Sequence, residues 1–127
     1  MKTNNFILTA LVVVLGAVSL FFYTSSRNTE FYANQAIKCR ETGQEEHEKE
    51  LEKQTFVTTY FEPQYIYNKS MKTCLYKGGY SSAGGSYYFI KDLYTGFYVA
   101  EWSYALTGET ITGNPEEYHE AVRELGF

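Results

Sequence analysis

At 127 residues, with 11 Lys/Arg against 15 Asp/Glu and a formal charge of −4, the chain has room for one globular domain. Its acidic balance gains nothing from phosphate backbones, which excludes nucleic acid as an expected partner. Tyrosine alone accounts for 13 residues, ample apolar area for a core and an unusual share of hydroxylated rings.

The chain opens with Met1–Asn5, where Lys2 is the only charged side chain, and then runs apolar from Phe6 to Tyr23. As a helix those uncharged residues would rise about 27 Å, close to the hydrocarbon thickness of a bilayer. Arg27, Lys38 and Arg40 follow the run, so a bare Lys/Arg count slightly favours the opposite orientation. The short head and first position in the chain nevertheless resemble an export signal, which leaves the head inside and the remainder outside. A cleavable signal wants small residues at its cut, and this run ends in Leu20-Phe21-Phe22-Tyr23. Ala17-Val18-Ser19 and Thr24-Ser25-Ser26 are the passable cleavage sites, and their use would release a secreted or periplasmic protein. The expectation is a retained anchor over residues 1–23, bounded by Phe6 and Tyr23, with a single extracytoplasmic domain over residues 24–127. That domain carries every acidic residue and all of the basic ones except Lys2. A lipoprotein signal does not fit, because the first cysteine is Cys39.

Glu30–Arg40 reads as an amphipathic helix, with Tyr32, Ala33, Ala36 and Cys39 on one stripe and a stop expected at Thr42-Gly43. Gln44–Gln54 has Leu51 as its only apolar residue; it reads as a solvated helix or mobile linker, outside the core. From Thr55 the period changes to two. Thr55–Glu62, Tyr65–Asn68, Met71–Lys77, Gly85–Lys91 and Phe97–Tyr104 are the expected strands, with Lys77–Gly85 a loop and Asp92–Gly96 a hairpin connection. On the last strand Tyr98, Ala100, Trp102 and Tyr104 share the face better suited to the core. Asn114, Pro115, Glu116 and Glu117 then signal a helix start, and Tyr118, Ala121, Val122 and Leu125 form its apolar stripe. The whole is an α+β fold: N-terminal transmembrane helix, a second helix, an antiparallel β-meander of four or five strands, and a C-terminal helix.

Cys39 and Cys74 are the only cysteines, and two in an exported domain ordinarily pair. A bond would close a loop of about 36 residues, worth roughly 3–4 kcal/mol by chain entropy. Buried free thiols and a metal pair are the alternatives, the latter without the spacing zinc requires. His47 sits among glutamates and reads as part of a solvated face; His119 reads as helix surface. No G-x-S-x-G accompanies them, and Asp92 is better explained as a turn residue than as the acid partner of Glu101. Gly79–Ser86 has two phosphate-loop glycines but Gly85 where the lysine belongs. Asn68-Lys69-Ser70 is a formal glycosylation sequon. No catalytic residue, metal site or cofactor is therefore expected.

The tyrosines are the feature that bears on function. Tyr80, Tyr87, Tyr88 and Tyr94 are the candidate binding surface, since tyrosine offers large contact area and a hydroxyl at low entropy cost. Tyr87 and Tyr88 are adjacent on a strand and must face opposite sides, one expected in the core and the other exposed.

The Cys39-bearing helix, the Tyr67-Asn68 step, Lys69, and the Lys72-Thr73-Cys74-Leu75 strand opening resemble a loose group of uncharacterised bacterial exported and membrane-anchored proteins, over roughly residues 30–105. The resemblance implies an exported location and a disulfide, and no activity. Those proteins often have His where Tyr65 or Ile66 stands here, so it carries no histidine role. The layout also resembles type IV pilins, but Asn5 and Ala10 stand where their glycine and glutamate belong. The expectation is a non-enzymatic envelope protein held in the membrane and contacting protein or glycan through a tyrosine-rich sheet. The alternative is a small extracytoplasmic enzyme, for which an open cleft holding His119 and an acidic partner would be the sign.

Overall fold

A computed structural model describes residues 2–53 and 57–127, with the side chains of residues 2–8, 57 and 58 excluded. Gln54, Thr55, Phe56 and the side chain of Phe6, all part of the expectations above, lie outside the described set. The chain divides into two compact units, Met1–Asn34 and Gln35–Phe127. In the first, helix α1 (Lys2–Lys53) includes a stretch long and apolar enough to cross a membrane by length and composition. Its described side chains there are exposed, including Leu11, Val14, Leu20, Phe21 and Phe22.

The second unit holds the rest of α1, six strands and a terminal helix, an α+β architecture as expected. The strands are β1 (Val57–Tyr60), β2 (Gln64–Asn68), β3 (Thr73–Ser82), β4 (Gly85–Asp92), β5 (Tyr98–Ala105) and β6 (Thr110–Gly113), followed by α2 (Pro115–Leu125). All pairings are antiparallel, in the order β1-β3-β4-β5-β6, with β2 also on β3. β2 pairs the first half of β3 and β1 the second, so the two short strands share one flank around Pro63. β6 is a sixth strand that the sequence pattern did not signal.

Three local expectations fail, each for a packing reason. α1 does not stop at Gly43 but continues to Lys53. Gly43 is buried, and a Cβ there would run into the Tyr65 ring. The glycine is a socket for a ring, not a helix end. The expected loop at Lys77–Gly85 is mostly strand, because β3 extends to Ser82 and leaves only Ala83-Gly84 as the turn. Tyr98 does not share the face of Ala100, because a register irregularity between Ile90 and Lys91 turns it toward Tyr87 and Phe89 on the other side.

α2 forms as its signals predict. The Asn114 side chain accepts from the Glu116 N–H at 2.9 Å, and Gly126 closes the helix at φ 86°, a conformation only glycine adopts freely. Tyr118, Ala121, Val122 and Leu125 pack with Leu75, Ile90, Tyr88, Ala100 and Trp102 on one face of the sheet, the main apolar core.

Candidate binding surfaces

The sheet's other face receives the Gln35–Lys53 part of α1. Cys39 and Cys74 form a disulfide, both residues buried, which ties the helix to β3. Beyond it the contacts are polar. Tyr76, 1% exposed, donates its hydroxyl proton to Glu50 Oε2 at 3.1 Å. With that proton committed, the hydroxyl oxygen accepts from His47 Nδ1 at 2.8 Å. Lys91 Nζ donates to Glu46 Oε1 at 2.6 Å, and Tyr60 donates to the Glu50 carbonyl at 3.3 Å. Burial raises the Glu50 pKa and lowers that of His47, each shift disfavouring the charged form. The hydrogen bond from Lys91 holds Glu46 below its ordinary value. The Gln44–Lys53 segment is therefore not simply a solvated face. Its Glu46, His47 and Glu50 side are half-buried and satisfied by the sheet. Tyr65 Oη and Trp102 Nε1 are buried without a partner among the described residues.

Register places a tyrosine row on this same face. Tyr60 is opposite Tyr80, Tyr80 opposite Tyr87, and Tyr87 opposite Ser103. Ring centroids are 6.2 Å apart for Tyr60–Tyr80, 5.4 Å for Tyr80–Tyr87 and 6.5 Å for Tyr87–Tyr98. Tyr87 donates to Glu101 Oε2 at 2.6 Å; burial, then this bond, pushes its pKa up. The rings are half-buried, and Tyr98 is 48% exposed. At the β3–β4 turn the row meets a shallow groove of about 280 Å³, where Ser82, Ser86, Ser103 and Tyr104 stand beside exposed Ile111.

The α2 face carries a second aromatic row. Gly79, Tyr88 and Trp102 are successive cross-strand partners. Phe61 fills the space over Gly79, its N–H bonded to the Gly79 carbonyl at 2.9 Å. Phe61 and Trp102 thus stack on Tyr88 at 4.9 and 5.2 Å, one from each side. Between this row and α2 lies an open cleft of about 320 Å³. The β1–β2 connection lines it with Phe61, Glu62 and Gln64, the sheet with Lys77, Gly78 and Tyr88, and α2 with Tyr118, His119 and Val122. Burial pushes the Tyr118 pKa up to about 12, so the phenol stays neutral.

Of the expected surface residues, Tyr80 and Tyr87 come together. Tyr88 is on the opposite face in the cleft wall. Tyr94 sits on the β4–β5 turn, 52% exposed, with its hydroxyl 3.5 Å from Gln35 Oε1. Neither Tyr87 nor Tyr88 is fully core or fully exposed; both are half-buried. His119 lines the cleft, and its ring contacts are Trp102 and Tyr118 at 5.6 and 5.7 Å. Sequence reading missed Tyr60, Phe61 and Glu62 as site residues, since only strand pairing reveals that β1 and its exit border both surfaces. Among the described residues no His/Cys/Asp/Glu group is arranged to hold a metal ion. No protein-family model, curated protein or solved structure matches the chain.

Proposed function

We propose that this is a non-enzymatic, membrane-anchored envelope protein whose extracytoplasmic domain contacts a protein or glycan through its tyrosine-rich sheet. The observation that carries the reading is the Tyr60–Tyr80–Tyr87 row, extended by Tyr98 and edged by serine hydroxyls. Half-buried tyrosine rings with restricted rotamers beside serine hydroxyls suit partners that present both apolar and hydrogen-bonding surface. The disulfide supports an oxidising compartment, and the apolar N-terminal stretch supports the anchor.

Two experiments test this. Fractionation should find the full chain in the membrane; a soluble mature form starting near Leu20 or Arg27 would overturn the anchor. For the surface, full-length protein in nanodiscs should sediment with isolated cell-wall glycan, or form a defined photocrosslink from position 80 to one envelope protein. The Tyr80→Ala/Tyr98→Ala variant should lose that contact while keeping its disulfide and thermal transition. A variant that keeps every contact of wild type refutes the tyrosine surface. The enzyme reading rests on one observation, that His119 and Glu62 line one cleft. It predicts a hydrolytic or transfer activity abolished by His119→Ala, whereas the binding reading predicts that this change leaves the tyrosine-row contact intact.

A further inference from the structure

We propose that the cleft between the β1–β2 connection and α2 is a second binding site, specific for a small zwitterion with an apolar side chain, of amino-acid or dipeptide size. It lies on the face of the sheet opposite the Tyr80–Tyr87 row and stands independently of that row's role. Size comes first. At about 320 Å³ the cleft is at the lower end of the range that holds small molecules, too small for a folded partner.

The wall chemistry narrows the class. A sugar needs an aromatic face to lie on, and Tyr88 has none to give, because Phe61 and Trp102 occupy both of its faces. The remaining apolar lining is Phe61, Tyr118 and Val122 from two different elements, a slot suited to a side chain rather than a ring platform. The charges then decide. Glu62 and Lys77 both line the cleft, yet among the described residues neither forms an ion pair with the other or with any third group. The Lys77 ammonium instead lies 5.5 Å from the centre of the Phe127 ring, a contact that leaves its hydrogen-bond donors available. A lone anion would satisfy Lys77 and face Glu62; a lone cation would do the reverse. A ligand carrying both charges satisfies both, with its carboxylate toward Lys77, its ammonium toward Glu62 and its side chain against Phe61 and Val122. Such charge-assisted hydrogen bonds are the stronger kind and fix orientation.

The test is calorimetric titration of the full chain in nanodiscs with L-leucine, L-phenylalanine and leucyl-leucine, against N-acetyl-L-leucinamide and glucose. At least one zwitterion should bind saturably, while the blocked amide and the sugar should not. Glu62→Gln and Lys77→Gln should each weaken binding by about tenfold or more. Glu62 is exposed, so its variant tests the charge without threatening the fold, and an unchanged thermal transition verifies this for both. Absence of saturable binding by every zwitterion at millimolar concentration overturns the proposal. So does equal binding of the blocked amide, binding of glucose alone, or indifference to Glu62→Gln.

Discussion

Gly43→Ala should destabilise the domain, although the same change stabilises an ordinary helix. In a helix interior alanine is favoured over glycine by about 0.8–1.0 kcal/mol. Here the added Cβ would overlap the Tyr65 ring, with Cγ at 2.8 Å and the nearer ring edge closer still. Tyr65 is rooted in β2 opposite Tyr76, and the two ring centroids are 5.4 Å apart, so its ring cannot swing away without pushing on a buried neighbour. Nor can the helix lift, since the Cys39–Cys74 bond precedes Gly43 and the His47 and Glu50 contacts follow it. Overpacking of this kind costs about 1–3 kcal/mol. With both partners constrained, the upper half of that range applies, and the net is a loss of about 1–2 kcal/mol after the helix preference is subtracted. Urea titration of the full chain in detergent, disulfide intact, would read this through Trp102, the sole tryptophan. In a Tyr65→Ala background the sign should invert, with Gly43→Ala gaining about 1 kcal/mol. A left-handed cap at Gly43 would be penalised by alanine in both backgrounds, so the inversion separates the two explanations. A Gly43→Ala protein more stable than wild type would refute the packing argument.

Thiol labelling of the denatured, unreduced protein should find no free cysteine, and Cys74→Ala should cost about 2–5 kcal/mol in the same titration; two labelled thiols would rule the bond out. Tyr76→Phe keeps the ring but strips Glu50 and His47 of a shared partner, which should cost about 1–3 kcal/mol; an unchanged urea midpoint would show that solvent replaces the hydroxyl. Asp92 predicts an acid-side loss of stability. Burial alone would raise its pKa, but hydrogen bonds from Thr73 and the Tyr94 and Thr95 N–H groups outweigh burial and hold it below 3.8. Its contribution is therefore complete above the ordinary aspartate value and lost as pH falls through the lower folded value. Asp92→Asn should flatten the fall in melting temperature below pH 3.8, and an identical profile in the variant would count against the assignment.

What the sequence disclosed was whatever is encoded locally. The start of α2 is legible because Asn114, Pro115, Glu116 and Glu117 each satisfy or complement groups within one turn, and the Asp92 turn is legible for the same reason. The strands show through their alternation. The disulfide follows from a count of two. What stayed hidden is non-local. Gly43 looks like a helix stop until the ring of Tyr65, distant in sequence, is known to sit on it. Gln44–Lys53 looks solvated because its buried side is polar, and only Tyr76 and Lys91 on remote strands show that Glu46, His47 and Glu50 have partners. Strict alternation puts Tyr98 on the face of Ala100, because nothing local in the sequence anticipates the irregularity in β4–β5 pairing.

Gly78 and Gly79 show most directly how the two surfaces depend on one another. Side chains on successive strand residues point to opposite faces, so two adjacent glycines leave a vacancy on each side of β3. On the α1 side a Cβ at Gly78 would meet Tyr76 Oη at 2.8 Å and Phe89 Cζ at 2.9 Å, so the missing atom is what lets those rings close over the strand. On the α2 side a Cβ at Gly79 would meet Phe61 Cδ2 at 2.8 Å, and its absence admits Phe61 as the end of the row that walls the cleft. Phe61 directly follows Tyr60, which begins the tyrosine row on the other face. A composition that reads as a flexible loop is thus an extended strand whose glycines hold aromatic rings from both sides. The single step from Tyr60 to Phe61 then delivers one ring to each proposed binding surface, Tyr60 beside Tyr80 and Phe61 against Tyr88.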